Sequence, residues 1–251
     1  YNNDIEIYGL QMKSYGISNT GGIFGTAIAI FTPGNSNITI GKPGKGNHFT
    51  GWLVTIGQEA HWNDVPLRTC YNIKIQSNII GIREDGLTHT YRTNPYILFE
   101  ASCRVGVNYK ELDNITIGGP NPEEGNLISY LESAINARHT QNYREDTTRP
   151  SLIQHNIIGT DINRMEPTNF NFTNYAAVLC GGLDSVKILD NHIMGEGISA
   201  GLQIGSCRDF DIKGNIIGLD KNKQGGRTKM LQGITLNFNR RGIIGGPLEK
   251  D

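Results

Sequence analysis

A short repeated pattern constrains the fold of this chain more than any other feature of its sequence. Asn-Ile-Ile-Gly occurs at 78–81, 156–159 and 215–218, and a variant, Asn-His-Ile-Met-Gly, occurs at 191–195. Each copy follows a short strand of alternating character, such as Ile73-Lys74-Ile75, and a polar turn. A unit this small cannot bury a hydrophobic face by itself, so its repetition predicts units that stack on one another.

A second version of the unit has a longer turn between the same two strands. It covers residues 37–47, returns at 114–129 and begins again at 242–247. A third strand then completes each unit, and we count seven such strands and hence about seven coils. The candidate third strands are residues 27–31, 53–56, 96–99, 134–137, 176–179, 201–204 and 233–236.

This order of strands and turns predicts an all-β fold, a right-handed parallel β-helix in which each coil has three strands and some loops are insertions. Like strands of successive coils would pair along the axis at a spacing of about 4.8 Å. Ile, Val, Leu and Phe would face inward, and Lys, Gln, Asp and Thr outward. An antiparallel sandwich is the alternative, although its hairpin turns should vary more than these turns do.

The recurrent asparagine has a predicted structural role at the corner of each coil. Asparagine tolerates left-handed backbone and hydrogen-bonds to neighbouring backbone groups. Stacked in register, side-chain amides can also bond to one another, as in the asparagine ladders of stacked sheets. We therefore predict an internal ladder formed by Asn78, Asn126, Asn156, Asn191 and Asn215.

Composition excludes some partners and leaves the compartment open. The 251 residues include 23 Lys and Arg against 24 Asp and Glu, so overall charge does not favour a nucleic acid or an anionic membrane as partner. No apolar run reaches the roughly 18 residues of a membrane span, which argues against insertion. Four cysteines, Cys70, Cys103, Cys180 and Cys207, lack CxxC spacing, and we favour small buried residues over disulfides.

On these motifs, the chain resembles the right-handed parallel β-helix repeat family within the pectin-lyase-like superfamily. Residues 156–161, 215–220 and 117–129 carry the likeness, which is to large secreted and surface proteins of bacteria. The likeness covers nearly the whole chain, so we expect one β-helix domain over residues 1–251. Because no capping helix precedes or follows the repeats, we expect an excerpt of a longer chain, with further coils or partner chains at both ends.

The resemblance is specific for architecture and weak for activity. The wider superfamily includes pectin and alginate lyases, polygalacturonases, mannuronan epimerases, phage tailspikes and adhesins, and fold does not decide among them. The Asp-Pro-His-Glu motif of the epimerases is missing from this sequence. The Asn-Thr-Asp, Gly-His-Gly and Arg-Ile-Lys set of the polygalacturonases is missing as well.

Catalysis, if the chain has any, is expected in inserted loops carried by the rigid coils. The insertions are predicted at residues 57–69, 82–95, 138–150, 160–174 and 219–232. Two of them share His, Tyr and Arg, a set that suits uronate chemistry: Arg neutralises the carboxylate, His or Tyr removes the C5 proton, and Tyr protonates the leaving oxygen. The candidate catalytic residues are His89, Tyr91, Arg92, His139, Tyr143 and Arg144.

No cofactor is expected, although two loops carry a weak resemblance to calcium-binding sequences. These loops contain Asp161 with Asn163, and Asp220 with Asn222 and Gly225. Calcium requires six to eight oxygen ligands, and lysines flank the second loop. An Asx turn is the preferred interpretation of both.

The preferred function is a non-catalytic, extracellular or cell-surface module of a secreted bacterial protein, structural or adhesin-like, with a glycan as candidate partner. A polysaccharide lyase or C5-epimerase acting on uronate polymers is the first alternative, and a tailspike-like phage fibre is the second. Complete coverage by repeats and the missing enzyme signatures favour the structural module.

Overall fold

The computed structural model describes residues 3–13, 26–31, 36–50, 54–59, 70–82, 85–86, 105–110, 112–129, 133–138, 151–167, 176–225 and 229–246. These residues form 22 strands in three sheets, with a single 3₁₀ turn at Pro122–Glu124. The prediction of an all-β fold is confirmed. Within the described part, no helix has the length and apolar character that a membrane-spanning segment requires.

Each sheet collects every third strand of the chain. The first sheet contains β1 (Asn3–Ile7), β4 (Ser36–Ile40), β7 (Cys70–Ile75), β10 (Leu112–Gly118), β13 (Ser151–Gln154), β16 (Ser185–Leu189), β19 (Asp209–Lys213) and β22 (Gly242–Ile244). The second contains β2 (Gln11–Lys13), β5 (His48–Thr50), β8 (Ile79–Ile80), β11 (Leu127–Ile128), β14 (Ile157–Ile158), β17 (His192–Ile193) and β20 (Ile216–Ile217). The third contains β3 (Thr26–Phe31), β6 (Val54–Glu59), β9 (Val105–Lys110), β12 (Ser133–Arg138), β15 (Ala176–Gly181), β18 (Ala200–Gly205) and β21 (Gln232–Asn237).

The chain passes through the three sheets in the same order each time, and we call one such passage a winding. Every pairing between these strands is parallel, and each strand pairs with the strand three places further along the chain. This topology is consistent with a parallel β-helix. It also explains why the strands are short: each one gains its hydrogen bonds from the windings before and after it and needs no partner within its own winding.

The core consists of aliphatic side chains stacked in columns. Register places Ile75 beside Ile117 in the first sheet and Ile80 beside Ile128 in the second, and all four are fully buried. Neighbouring residues on the same strand alternate in exposure, as Val186, Lys187 and Ile188 show. The buried members of the columns are Ile40, Phe49, Ile56, Ile73, Ile75, Ile80, Ile115, Ile117, Ile128, Ile135, Ile153, Ile158, Val178, Val186, Ile188, Ile193, Leu202 and Ile204.

The corner between the first and second sheets differs in one respect from the prediction. We expected the recurrent asparagine to take up left-handed backbone, but the residue before it does so. Ser77, His155 and Asp190 have φ of 56°, 57° and 53°, and Gly214 has φ of 66°. The asparagine's own backbone N–H is then free to take part in bonds between windings.

Glycine is required at the end of β10, where the chain enters the longer turn of this corner. Gly118 has φ of 85°, and a Cβ built there would overlap the carbonyl oxygen of Gln154 in the next winding. The backbones of two windings therefore approach each other at Gly118 more closely than any side chain allows.

Six of the predicted third strands overlap observed strands of the third sheet. The seventh, residues 96–99, lies outside the described residues, and the strand that occupies this place in the sheet is Val105–Lys110. Residues 96–99 are wholly apolar or aromatic, whereas 105–110 include Asn108 and Lys110, so composition favoured the first segment. The insertion predicted at 57–69 also begins too early, because β6 continues through Glu59.

Truncation of a side chain in a core column should lower stability much more than truncation of the adjacent, outward-facing side chain on the same strand. Ile117 is fully buried, whereas the adjacent Thr116 faces outward and is half-buried. We expect Ile117→Ala to lower the free energy of unfolding by about 3 kcal/mol, through lost burial and a residual cavity. Thr116→Ala should change it by less than about 1 kcal/mol. Urea denaturation of both variants measures the difference, and equal losses would contradict the assigned faces.

Candidate functional site

A ladder of asparagine amides runs inside the corner between the first and second sheets. At each step, the Oδ1 atom of one asparagine accepts the backbone N–H and an Nδ2–H of the asparagine one winding earlier. Asn126, for example, donates to Oδ1 of Asn156 from its backbone nitrogen at 3.1 Å and from Nδ2 at 2.9 Å. The members are Asn47, Asn78, Asn126, Asn156, Asn191 and Asn215.

The second Nδ2–H of each amide joins the ladder to the first sheet. Asn126 donates it to the carbonyl oxygen of Ile75 at 2.8 Å, and Asn156 donates to that of Ile117 at 2.9 Å. All polar positions of a central ladder amide are therefore bonded, although the side chain is inaccessible to water. Since an unmade buried hydrogen bond costs about 1–3 kcal/mol, the ladder holds adjacent windings in one register.

Asn47 belongs to this ladder but was not among the predicted members. Its amide bonds to Asn78 at 2.9 Å, and its Oδ1 accepts the backbone N–H of Leu10. The signal was present in the sequence, because Gly46-Asn47 follows a long turn just as Gly125-Asn126 does. A lone asparagine ahead of His48-Phe49 was harder to recognise than one ahead of two aliphatic residues.

A second row of polar side chains follows the exposed start of the first sheet. Asn37 donates to Asp4 at 2.9 Å, Asn72 donates to Asn37, and Asn114 donates to Asn72 at 3.3 Å. All four residues have positive φ, between 53° and 62°. Sequence reasoning missed this row, since these asparagines lie within strands of the first sheet and do not follow one.

The six predicted catalytic residues, His89, Tyr91, Arg92, His139, Tyr143 and Arg144, lie outside the described residues. The first described strand after His89, Tyr91 and Arg92 is β9, and the last described strand before the other three residues is β12. These strands are neighbours in the third sheet. The start of β9 and the end of β12 lie at opposite ends of these six-residue strands, about 17–20 Å apart. Between them, on the outer face, Oδ1 of Asn136 is buried and has no hydrogen-bond partner.

The two loops considered for calcium are closed by their own aspartates. Oδ1 of Asp220 accepts the backbone N–H groups of Asn222 at 2.8 Å and Gln224 at 2.9 Å. Oδ1 of Asp161 accepts the N–H of Met165 at 3.0 Å. The bond from Asn222 to Asp220 forms the expected Asx turn, whereas the bond from Met165 to Asp161 spans four residues and closes a wider loop. Within the described part of the chain, no group of three or more His, Cys, Asp and Glu side chains has the proximity that a metal site needs.

The side chains of two of the four cysteines are described, and neither is in a disulfide. Cys180 and Cys207 are buried in the core and carry free thiols. Burial raises the pKa of the Cys180 thiol well above its ordinary value and also raises the pKa of Cys207. Both thiols therefore stay protonated and unreactive at neutral pH, as expected for small core residues.

A groove crosses the outer face of the first sheet over β16, β19 and β22. Its volume is about 280 Å³, close to the lower limit of small-molecule sites at about 300 Å³. Two outward columns supply its lining: Ser185, Asp209 and Arg241 form one, and Lys187, Asp211 and Ile243 the other.

Three cationic and two anionic side chains lie at this groove. Arg241 pairs with Asp209 at 3.0 Å, and Lys213 pairs with Asp211 at 3.0 Å. Lys187 is exposed beside them. The groove thus offers cationic and anionic hydrogen-bonding groups next to the aliphatic Ile243. The sequence identified Lys187 and Asp211 as outward-facing, but their alignment with Arg241 and Ile243 required the register.

His192 is the least expected residue on the outer face of the second sheet. In register it stands between Ile157 and Ile216, and its neighbour Ile193 points into the core. The side chain is nevertheless only 3 % exposed, and neither ring nitrogen has a hydrogen-bond partner. Burial lowers the pKa of His192, as does nearby Arg164, against the opposing influence of the Leu219 carbonyl and Asp220.

Comparisons of the chain with protein-family models, with curated proteins and with solved structures found no match.

Loss of one central amide should destabilise the chain strongly. Asn156→Ala removes the acceptor of two Asn126 donors and the donors to Asn191 and Ile117. We expect the free energy of unfolding to fall by about 3 kcal/mol or more, because buried partner groups lose their bonds. Asn163→Ala, at an exposed position, is the matched control and should change stability by less than about 0.5 kcal/mol. Comparable denaturation midpoints for the two variants would show that the ladder does not hold the windings.

Proposed function

We propose that this chain is a right-handed parallel β-helix of about seven coils in the pectin-lyase-like superfamily. Its proposed role is a non-catalytic structural or adhesin-like module of a bacterial protein that is extracellular or on the cell surface. The asparagine ladder is the observation that supports a structural role best. It continues through windings of very different length, with steps from 24 to 48 residues along the chain.

The use of polar side chains inside the described windings supports the same role. The buried amides serve the ladder, the buried thiols are protonated, and the buried aspartate Asp220 closes its own turn. A catalytic centre instead gathers polar groups around a space for substrate. A rigid solenoid whose interior polar groups hold its own backbone suits a spacer or display module.

Contact with a glycan is the second part of the proposal, and the groove on the first sheet is its proposed location. Sugar hydroxyls both donate and accept hydrogen bonds, so a lining with Lys187, Asp209, Asp211 and Arg241 can satisfy them in either direction. Ile243 adds an aliphatic surface for the C–H face of a ring. Because two carboxylates lie among the cations of the groove, a neutral saccharide is favoured over a strongly anionic one.

Further coils or partner chains are proposed to cover the last winding. The β21 and β22 strands carry large apolar side chains that are open to solvent, and Phe238 between them is 94 % exposed. Unpaired parallel strands with such side chains are a template for another strand layer. The exposed apolar residues here are Leu231, Leu236, Phe238, Ile243 and Ile244.

A polysaccharide lyase or C5-epimerase stays the alternative function. It is favoured because the candidate residues precede β9 and follow β12 in the chain, and these two strands are neighbours on one face of the third sheet. Asn136 lies on that face between them.

Glycan binding should depend on the groove and not on charge elsewhere on the same sheet. We expect Lys187→Ala and Asp211→Ala each to weaken binding to the best ligand of a glycan array by about tenfold, equivalent to about 1.4 kcal/mol. Lys74→Ala is the matched control, since Lys74 is also an exposed lysine in the Lys187 column, three windings earlier. Equal affinity of the wild-type chain and the groove variants would place the glycan site elsewhere.

The non-catalytic role predicts that uronate polymers are left intact. Incubation with a panel of these polymers, with and without calcium, should produce no ultraviolet absorbance from the unsaturated uronate that β-elimination creates. A rise in absorbance that His89→Ala or His139→Ala abolishes would replace the structural proposal with the lyase. Proton NMR of the same polymers tests for epimerisation in parallel.

A further inference from the structure

Two loops meet over the outer face of the second sheet, and His192 lies beneath their meeting point. The first loop, residues 160–167, is closed by bonds from Thr160 to the Glu166 carbonyl and from the Met165 N–H to Asp161. The second, residues 219–225, is closed around Asp220. The backbone N–H of Lys221 donates to the carbonyl of Arg164 at 2.9 Å and ties the two together. We call these two loops the clasp.

We propose that His192 is an acid-sensitive release for the clasp. The clasp keeps the imidazole neutral and dry when closed, and protonation of the ring at mildly acidic pH favours the opened clasp. The device goes beyond the proposed structural role and does not depend on what the groove binds.

An earlier winding contains the hydrogen-bonded counterpart of His192. His48 stands in the same outward column, and its Nε2 lies 2.7 Å from the carbonyl oxygen of Ile82. Leu219 follows Ile216 by three residues, as Ile82 follows Ile79, so its carbonyl is the equivalent acceptor. At His192 that bond is not made with normal geometry, and both ring nitrogens stay without a partner.

The charged groups that face His192 come from both loops of the clasp. Arg164 belongs to the first and opposes a second positive charge on the imidazole. Asp220 belongs to the second and attracts it. The strand residues on either side, Ile157 and Ile216, carry no charge.

When His192 is protonated, its interactions with Arg164 and Asp220 compete with the hydrogen bonds that close the clasp. Imidazolium has two N–H donors and no acceptor, so a buried ring then needs two partners. The anion that attracts the ring is Asp220, whose Oδ1 already accepts two backbone N–H groups of its own turn. A bond from His192 to Asp220 competes with that turn, while repulsion of Arg164 strains the tie from Lys221. Opening to water relieves both conflicts.

The direction with pH follows from proton uptake. In the opened clasp, His192 regains its ordinary pKa near 6.5, whereas its pKa is lower in the closed clasp. Below about pH 6.5 the open form therefore binds a proton that the closed form does not, and opening becomes more favourable as pH falls. Each unit of pKa difference allows up to about a tenfold increase in the opening constant.

Hydrogen exchange measured by mass spectrometry on the whole chain tests this release. From about pH 7.5 to about pH 5, after correction for intrinsic exchange rates, we expect protection of residues 160–167 and 219–225 to fall several-fold. Protection of β16 and β19 in the first sheet should not change. His192→Ile, which gives this position the residue type of its column neighbours, should abolish the pH effect. His48→Ile is the control and should retain it.

Arg164→Gln provides a second test that does not alter a buried position, since Arg164 is exposed. Removing this positive charge should raise the pKa of His192 and so weaken the pH effect. Constant protection of the clasp across this pH range in the wild-type chain would overturn the proposal. So would a pH effect that survives in His192→Ile, or protection that increases on acidification.

Discussion

Amide groups taken out of water must find partners, and this chain meets the requirement by bonding each winding to the next. The strands of the second sheet have only two or three residues, too few to hold a register by themselves. The ladder supplies what they lack, because each asparagine fixes one backbone N–H, two side-chain hydrogens and one carbonyl of the first sheet. The aliphatic columns then stack because the corners are aligned, and dispersion and burial add stability to a register already set.

Much of this architecture could be predicted from sequence because the repeat records it directly. Alternation in Ile73-Lys74-Ile75 marks the inward face, and Asn-Ile-Ile-Gly marks the corner and the strand after it. The repeat does not predict the course of the non-repeating segment in each winding, such as the segment that precedes β9. Residues 96–99 are more apolar than residues 105–110, and only pairing with β6 and β12 shows that the second segment joins the third sheet. Local strand propensity cannot predict which segment joins the sheet when the pairing strands are so distant in sequence.

The candidate sites were less predictable for the same reason. Lys187, Asp211 and Ile243 are far apart in sequence, and they share one column only because windings of different length are brought into line. His192 occupies a position where other windings have Ile157 or Ile216, so the pattern marked it as one more apolar site. Its burial depends on two loops whose course the repeat does not encode. The loops with His89 and His139 were singled out by composition, and composition carries no information about position.

The ladder also gives the molecule a direction. In the bonds between amides, each asparagine from Asn47 to Asn191 donates to the next winding, and each from Asn78 to Asn215 accepts from the winding before. The amide dipoles therefore add along the axis, and each bond polarises the next. In the bonds between amides, a winding offers two N–H donors to the winding after it and one Oδ1 acceptor to the winding before it. The ladder therefore has a polarity along the axis. Another winding in the same orientation can continue it, whereas a layer in the reverse orientation at the C-terminal end would place amide N–H donors against amide N–H donors.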